Sequence, residues 1–466
     1  MPPSPAPAAA AAAAPPAPAA PPAAPHDDVP EHVDFDSGSK LKFVFGLLSR
    51  FVGVKDLVGM RISLPANLME PESNLEFWNY QDRPDLFVDI PRAADPLDRM
   101  LRIIRWWYSK DTKWKENQLR KPYNPILGEQ FICSWAVDRH AAPARAATDP
   151  TLPSETDPQA ADPAAGPDPA FVRCVTEQIS HHPPISAFTY TTDDEAIAAC
   201  GLDHVVARFT GTSFKVGAGE YNAGVYVLLR DSGEEYNISH PWATVNGWLT
   251  GSPYIVVSDQ VVIVCPKSGL KASYFTRPKF AIEGKIFRHD YSKDAGWSDK
   301  ERRDAEKLSK IPAADVLCTL SGAWNSRITY RMAGSTEDQL LFDMASSEVA
   351  PKIVRPVEEQ DPLESRRVWR AVTDALHAKD YSTATKEKRA IEDRQRRIAA
   401  EHRAAIENQK HNHTHPAPAA EYESRFFDFK HDIKAGATVR GPPMDMTKGR
   451  PYLKPGVLAE LFGKRE

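Results

Sequence analysis

The chain has 466 residues, 42% hydrophobic and 26% charged, with a formal net charge of −5. That length admits two or three average domains or one large all-β barrel, and the composition is that of a soluble globular protein. The acidic balance argues against a general nucleic-acid binder, which needs a basic face for phosphates, so any basic site must be local.

Residues 1–25 contain only Met, Pro, Ser and Ala. Such a stretch cannot bury a core. It reads as a disordered tail running to about residue 39, and without a basic residue it is unlike a secretory signal. From Lys40 to Lys55, Leu41, Val44, Leu48 and Phe51 recur at helical spacing beside Lys40, Lys42 and Arg50. This segment either packs on the core or covers an opening and touches a membrane surface. Helical patterns follow at Asn74–Asp82 and Pro96–Ser109, the second with a broad apolar face that should be buried.

Lys121-Pro122-Tyr123-Asn124-Pro125-Ile126-Leu127-Gly128-Glu129 is an irregular loop by its two prolines and glycine, and Gln130–Val137 reads as a strand. Lys121 and Asn124 are either pre-set donors on a rigid loop or ordinary residues of a proline turn. Residues 138–170, rich in Ala, Pro and Asp, look like a disordered insertion between two paired strands. From Phe171 to about Met344 short alternating runs are separated by Gly, Asp, Ser and Pro turns. So many strands in one antiparallel meander must curl or close, and a barrel of more than about eight strands tends to enclose a cavity.

Within that region stands Glu177-Gln178-Ile179-Ser180-His181-His182-Pro183-Pro184. It reads as a strand ending near Ile179, a polar break and a second strand over Ile185–Thr192. Two prolines stiffen the break and keep it out of a central ladder. The two imidazoles can be surface residues of a turn, metal ligands, or rigid donors aimed at an anion. Beyond Pro362 the chain turns helical, over Glu364–Lys379 and then Thr383–Gln409, where Lys388, Glu392 and Arg396 share one face. That face is either ion-pair lacing or part of a site. His411, His413 and His415 read as linker, and Phe426-Phe427-Asp428 as a docked tail. Five cysteines without paired spacing read as free thiols in a reducing cytosol, four of them within apolar strand-like runs. No apolar run is long enough to span a bilayer. The chain also lacks the Gly-x-Ser-x-Gly elbow of an esterase and the His-Glu-x-x-His helix of a zinc hydrolase.

Three blocks resemble the signatures of the oxysterol-binding-protein-related family of lipid transfer proteins. Glu177–Pro184 differs from the Glu-Gln-Val-Ser-His-His-Pro-Pro fingerprint only at Ile179. Lys121–Glu129 is similar to the family's Lys-Pro-x-Asn-Pro-x-x-Gly-Glu block, and Lys388, Glu392 and Arg396 resemble its Lys-x-x-x-Glu-x-x-x-Arg helix. Glu364, Ser365 and Trp369 are similar to its Glu-Ser-x-x-x-Trp helix. The resemblance covers roughly residues 40–430 and suggests a short fungal-type member without a PH domain.

It implies an α+β, mainly β fold, a large incomplete antiparallel β-barrel around a lipid tunnel. An N-terminal lid would place Phe43, Leu47, Leu48, Phe51 and Leu57 at the tunnel entrance. C-terminal helices would span 362–410, with 431–466 a tail. Lys121, Asn124, His181, His182, Lys388, Glu392 and Arg396 would bind the headgroup of phosphatidylinositol 4-phosphate. That lipid would be exchanged between membranes for a sterol or phosphatidylserine, although a static lipid sensor would share every motif. The resemblance implies no catalysis, no cofactor and no metal. It implies a monomer that is cytoplasmic and peripheral on the endoplasmic reticulum, Golgi or plasma-membrane contact sites, touching membranes transiently.

Overall fold

The computed structural model describes residues 69–115, 121–138, 169–181, 183–209, 213–246, 254–257, 259–276, 280–294, 296–411, 422–429 and 450–463. The Ala/Pro tail, the lid segment with Phe43, Leu47, Leu48, Phe51 and Leu57, residues 139–168, His182 and two of the alternating histidines fall outside them.

The described chain begins with β1 (Met69–Ser73), α1 (Asn74–Phe77), α2 (Pro84–Asp89), α3 (Pro96–Ser109) and β2 (Lys121–Tyr123). The helix expected over 74–82 stops at Phe77. Asn79 takes over its carbonyls, with Nδ2 donating to Glu76 O and Phe77 O, and its Oδ1 accepts from the Gln81 amide. α3 forms as its pattern predicts: Asp95 accepts from the Leu97 and Asp98 amides, Pro96 opens the first turn, and Met100, Ile103, Ile104 and Trp106 are wholly buried.

The sheet is built from β3 (Gln130–Asp138), β4 (Pro169–His181), β5 (Pro184–Thr192), β6 (Ile197–Phe209), β7 (Phe214–Ala218), β8 (Val225–Leu229), β9 (Glu234–Ile238), β10 (Ala243–Asn246), β11 (Tyr254–Val257), β12 (Gln260–Cys265), β13 (Leu270–Thr276) and β14 (Ala281–Arg288). After α4 (Asp299–Ala305) it continues with β15 (Val316–Ala323), β16 (Arg327–Met332) and β17 (Gln339–Asp343). All 15 strands belong to one antiparallel sheet. β6 spans 13 residues and so serves two partners on one side, β8 along its first half and β7 along its second. β3 and β4 pair up to Asp138↔Pro169, so the 139–168 insertion leaves from the tip of a hairpin, and its outermost expected residues belong to the strands.

Helix α2 lies on β3 and β4, while α3 lies on β13 and β17 at the far end of the sheet. The sheet therefore curls round one helical pair, yet among the described residues no ladder joins β3 to β17. This is an incomplete barrel. One apolar cluster fills its inner face, where Trp106 and Phe87 meet Trp135, Val172, Tyr190, Ile263 and Ile286. Arg99 locks α3 to β9 through two bonds to Glu234, 2.6 and 2.7 Å, with both side chains buried. All five cysteines are buried and free.

The C-terminal part comprises α5 (Ser365–Val368), α6 (Arg370–His377), α7 (Tyr381–His411), β18 (Phe427–Phe429), β19 (Pro451–Leu453) and α8 (Val457–Phe462). The single helix expected over 364–379 is broken at Trp369, whose indole is drawn inward to a buried carboxylate. Residues 450–463, which the sequence places in a separate tail, form β19 and α8. Leu453, Val457 and Leu461 join Phe426 and Phe427 on the outer face of the sheet, against Ile132, Val175 and Ile185. Elements of three and six residues hold too few periods to be read from sequence.

Candidate functional site

β1 and β2 pair in parallel, Met69 opposite Lys121 and Ser73 opposite Tyr123, which fixes the start of the Lys121–Glu129 loop. The loop is then stitched to β4: Gly128 N–H donates to Gln178 O (2.9 Å), and Gln178 N–H donates to Glu129 O (2.8 Å). Gly128 has φ +80°, and a Cβ there would meet the Tyr422 ring at 3.0 Å, so both the turn and the close approach need glycine.

Glu129 is completely buried. Its Oε1 accepts from the Ser73 and Ser365 hydroxyls, and its Oε2 accepts from the Ile126 amide (2.9 Å) and the Trp369 indole (3.0 Å). Burial raises its pKa, and the four donors hold it back. The ring of Trp369 stacks on Tyr123, centroids 4.6 Å apart. This one carboxylate ties together the end of β1, the loop, and the start of the C-terminal helices.

α7 leaves that knot with Ala384 buried beside Ile126 and Tyr123. Lys388 bonds Glu392, and Arg396 bonds Asp393 and lies 3.5 Å from Glu392. Lys121 is exposed but closely surrounded by protein. Desolvation lowers its pKa most, the Lys388 charge lowers it further, and Glu392 opposes both. Lys121, Lys388 and Glu392 therefore share one electrostatic site, although 267 residues separate the two lysines (388 − 121).

His181 is the last residue of β4 rather than part of a break, paired with Pro184. The ladder absorbs the prolines because β4 carries a bulge between Gln178 and Ser180. His181 Nδ1 lies 3.1 Å from Pro125 O. A carbonyl only accepts, so Nδ1 carries the hydrogen and the ring is tied to the Lys121 loop. Asn124 is exposed on that loop.

Two groups of residues escaped the sequence reading. Glu129 and Glu177 were legible as parts of the blocks, but nothing marked them as buried hubs. The second group packs against Trp107 of α3, whose ring lies 5.9 Å from that of Tyr80 and 5.5 Å from that of His240. Tyr80 Oη is 2.9 Å from Asp203 Oδ1 and 2.8 Å from His240 Nε2, and His240 Nδ1 is 3.0 Å from Asn222 Oδ1. Asn222 Oδ1 also accepts the Gly224 amide, so it is the acceptor and His240 Nδ1 the donor. Burial pushes the His240 pKa down to about 3, and the neutral ring then accepts at Nε2. One hydroxyl hydrogen cannot serve both neighbours, and a protonated Asp203 completes the chain. Burial raises Asp203 to about 7, against a smaller opposing effect from Tyr80.

Between an unfolded value near 4 and the folded value near 7, the native state holds the extra proton, so this contribution to stability falls as pH rises and levels off above it. Asp203→Asn keeps the shape and a donor for Tyr80. The gap in favour of the variant should widen by more than ~1 kcal/mol between pH 5 and pH 8. Parallel denaturation curves at the two pH values check this, and an equal gap at both would contradict it.

Among the described residues no cluster of His, Cys, Asp and Glu is arranged to hold a metal ion, and no helix is long and apolar enough to cross a membrane. The family model for Oxysterol-binding protein matches residues 44–375. "Oxysterol-binding protein-like protein 1" of Schizosaccharomyces pombe is 33% identical over 78% of this chain and 84% of its own. Human "Oxysterol-binding protein-related protein 11" is 31% identical over 79% of this chain but 48% of its own length, so the chain spans about half of that relative. Among solved structures, the Osh1 ORD domain in complex with cholesterol superposes with TM-score 0.56 at 20% identity, covering 88% of each chain. The Osh3 ORD in complex with PI(4)P from Saccharomyces cerevisiae gives TM-score 0.50 at 16% identity, over 83% of this chain and 87% of that one. With more than half its length matched by the family model, the chain belongs to the oxysterol-binding protein family.

Proposed function

We propose that this protein carries lipid between membranes, exchanging a sterol or phosphatidylserine for phosphatidylinositol 4-phosphate. The observation that supports the reading best is the charge arrangement around Lys121. Lys388 and Arg396 share Glu392, whereas among the described residues no carboxylate bonds Lys121, whose charge is disfavoured where it stands. A phosphate monoester would meet that charge with strong acceptor oxygens. Asn124 and His181 lie on the same loop and on the strand stitched to it, and His182 is the next residue. Glu392 orients the two cations of α7.

The acyl chains, or the alternate cargo, would occupy a tunnel inside the incomplete barrel beneath the lid segment. The relatives solved with cholesterol and with PI(4)P favour this pair of ligand classes. The protein would work as a monomer on the cytoplasmic surface of endomembranes, without a cofactor and without catalysis.

Transfer between two liposome populations, one holding the phosphoinositide and the other a sterol or phosphatidylserine, tests this directly. Counter-directed movement is the expected result, while binding without transfer would leave a static lipid sensor. The doubly substituted His181→Ala, His182→Ala protein should lose phosphoinositide extraction with a native-like melting curve. Undiminished extraction would remove the histidines from the site.

A further inference from the structure

Glu177, the acid that opens the His-His-Pro-Pro block, is completely buried. Its carboxylate is filled by four donors from the chain's C-terminal segment. Oε1 accepts the Tyr422 hydroxyl (2.6 Å) and the Arg425 amide (2.7 Å). Oε2 accepts the Ser424 hydroxyl (2.6 Å) and the Phe426 amide (3.0 Å). These donors come from beyond the helix that carries Lys388, and beyond the 44–375 region that the family model matches.

The segment they hold reaches both halves of the loop-and-strand unit. The Tyr422 ring lies against Gly128 of the Lys121–Glu129 loop. The Arg425 guanidinium spans Gln130 (3.3 Å), Asp361 (2.9 Å) and Glu460 (2.9 Å). Phe426 and Phe427 fill the outer face under Ile179 and Ile185, the residues that flank the histidine turn. β4 has its bulge one residue beyond Glu177, so its own ladder is weakest just where the site begins.

We propose that Glu177 is a positioning residue: by seating residues 422–427 against the loop and the strand end, it holds Lys121 and His181 in register. The proposal rests on the headgroup reading given above. It makes the C-terminal segment a working part of the site, and it leaves the Phe-Phe-Asp run as an internal anchor that is not presented to a receptor.

The test uses the full chain with Glu177→Ala and Glu177→Gln. Each oxygen accepts a backbone amide, so glutamine in either orientation sets its NH₂ against an N–H that cannot turn into an acceptor. Both variants should therefore behave alike. Phosphatidylinositol 4-phosphate extraction from liposomes should fall at least about tenfold, while binding of a fluorescent sterol stays within about threefold. Should neither variant fold, Tyr422→Phe and Ser424→Ala, which remove one donor each, should give smaller losses of the same selectivity. Equal loss of both lipids would reduce Glu177 to a purely structural role and overturn the proposal.

Amide hydrogen exchange gives a readout independent of any lipid. Residues 126–129 and 178–186 should exchange faster in the variants, and unchanged protection there would refute positioning whatever the lipids do. If the wild type extracts no phosphoinositide, the headgroup reading falls. The exchange result then still decides whether Glu177 holds the loop to the strand.

Discussion

Replacing Lys121 by alanine is expected to cost roughly ten- to a hundredfold in affinity for phosphatidylinositol 4-phosphate, the equivalent of one charge-assisted hydrogen bond of about 1.5–3 kcal/mol. Sterol binding should change little, because a sterol presents no phosphate to the loop. The fold should survive as well: Lys121 is exposed and makes no ion pair to a carboxylate among the described residues. A pH effect accompanies the charge. Desolvation and Lys388 hold the Lys121 pKa below the ordinary lysine value, and a bound phosphate would raise it again. Wild-type affinity should therefore weaken on the alkaline side at a lower pH than an ordinary lysine would dictate, and the Lys121→Ala protein should lose that limb. Binding of both lipids to both proteins across pH checks the set. A sterol loss as large as the phosphoinositide loss would remove Lys121 from the headgroup site.

The largest stability effect is expected at Glu129. Glu129→Ala leaves the Ile126 amide and the Trp369 indole without an acceptor in a buried place, and the cost should be at least about 3 kcal/mol. The Ser73 and Ser365 hydroxyls can rotate to other partners, but the two N–H donors cannot. For the same reason Glu129→Gln should not restore the protein. If its amide nitrogen faces Ile126 and Trp369, donors oppose donors, whereas the reverse placement turns the nitrogen to the two hydroxyls and keeps one oxygen for both N–H groups, as in the parent, but without the charge that strengthens those bonds. Gln should thus recover part of the loss by the second arrangement and never all of it. Urea unfolding of the three proteins measures this. A Glu129→Gln protein as stable as the parent would mean that the carboxylate's charge contributes nothing here. Because Trp369 precedes α7, both variants should also loosen the relation of Lys388 to Lys121, and phosphoinositide affinity should fall with stability.

Much of this architecture could be read from residue order alone. α3 was visible in its periodicity, and the meander in its alternation and turns, because burial on one face writes a period of 3.6 or 2 directly into a sequence. The blocks containing Lys121, His181 and Lys388 could be singled out by their unusual composition and by their resemblance to one family. α7 was drawn nearly to its ends, because a long polar helix repeats its pattern often enough to be read.

What residue order could not carry is pairing across distance. Whether Lys388 faces solvent or Lys121 depends on Trp369 reaching Glu129 some 240 residues away, and on Tyr123 stacking over that indole. Residues 450–463 became part of the domain because Val457 and Leu461 found an apolar outer face on the sheet. A buried acid such as Glu129, Glu177 or Asp203 has the same letter as an exposed one. Its burial is affordable only when the fold brings donors or a proton to it, and those donors come from distant segments. The sequence by itself determined the long periodic elements and named the charged blocks, because local patterns suffice for both. Tertiary structure alone decided which charges stand together, since that depends on the contacts of a curled sheet with chain segments remote in sequence.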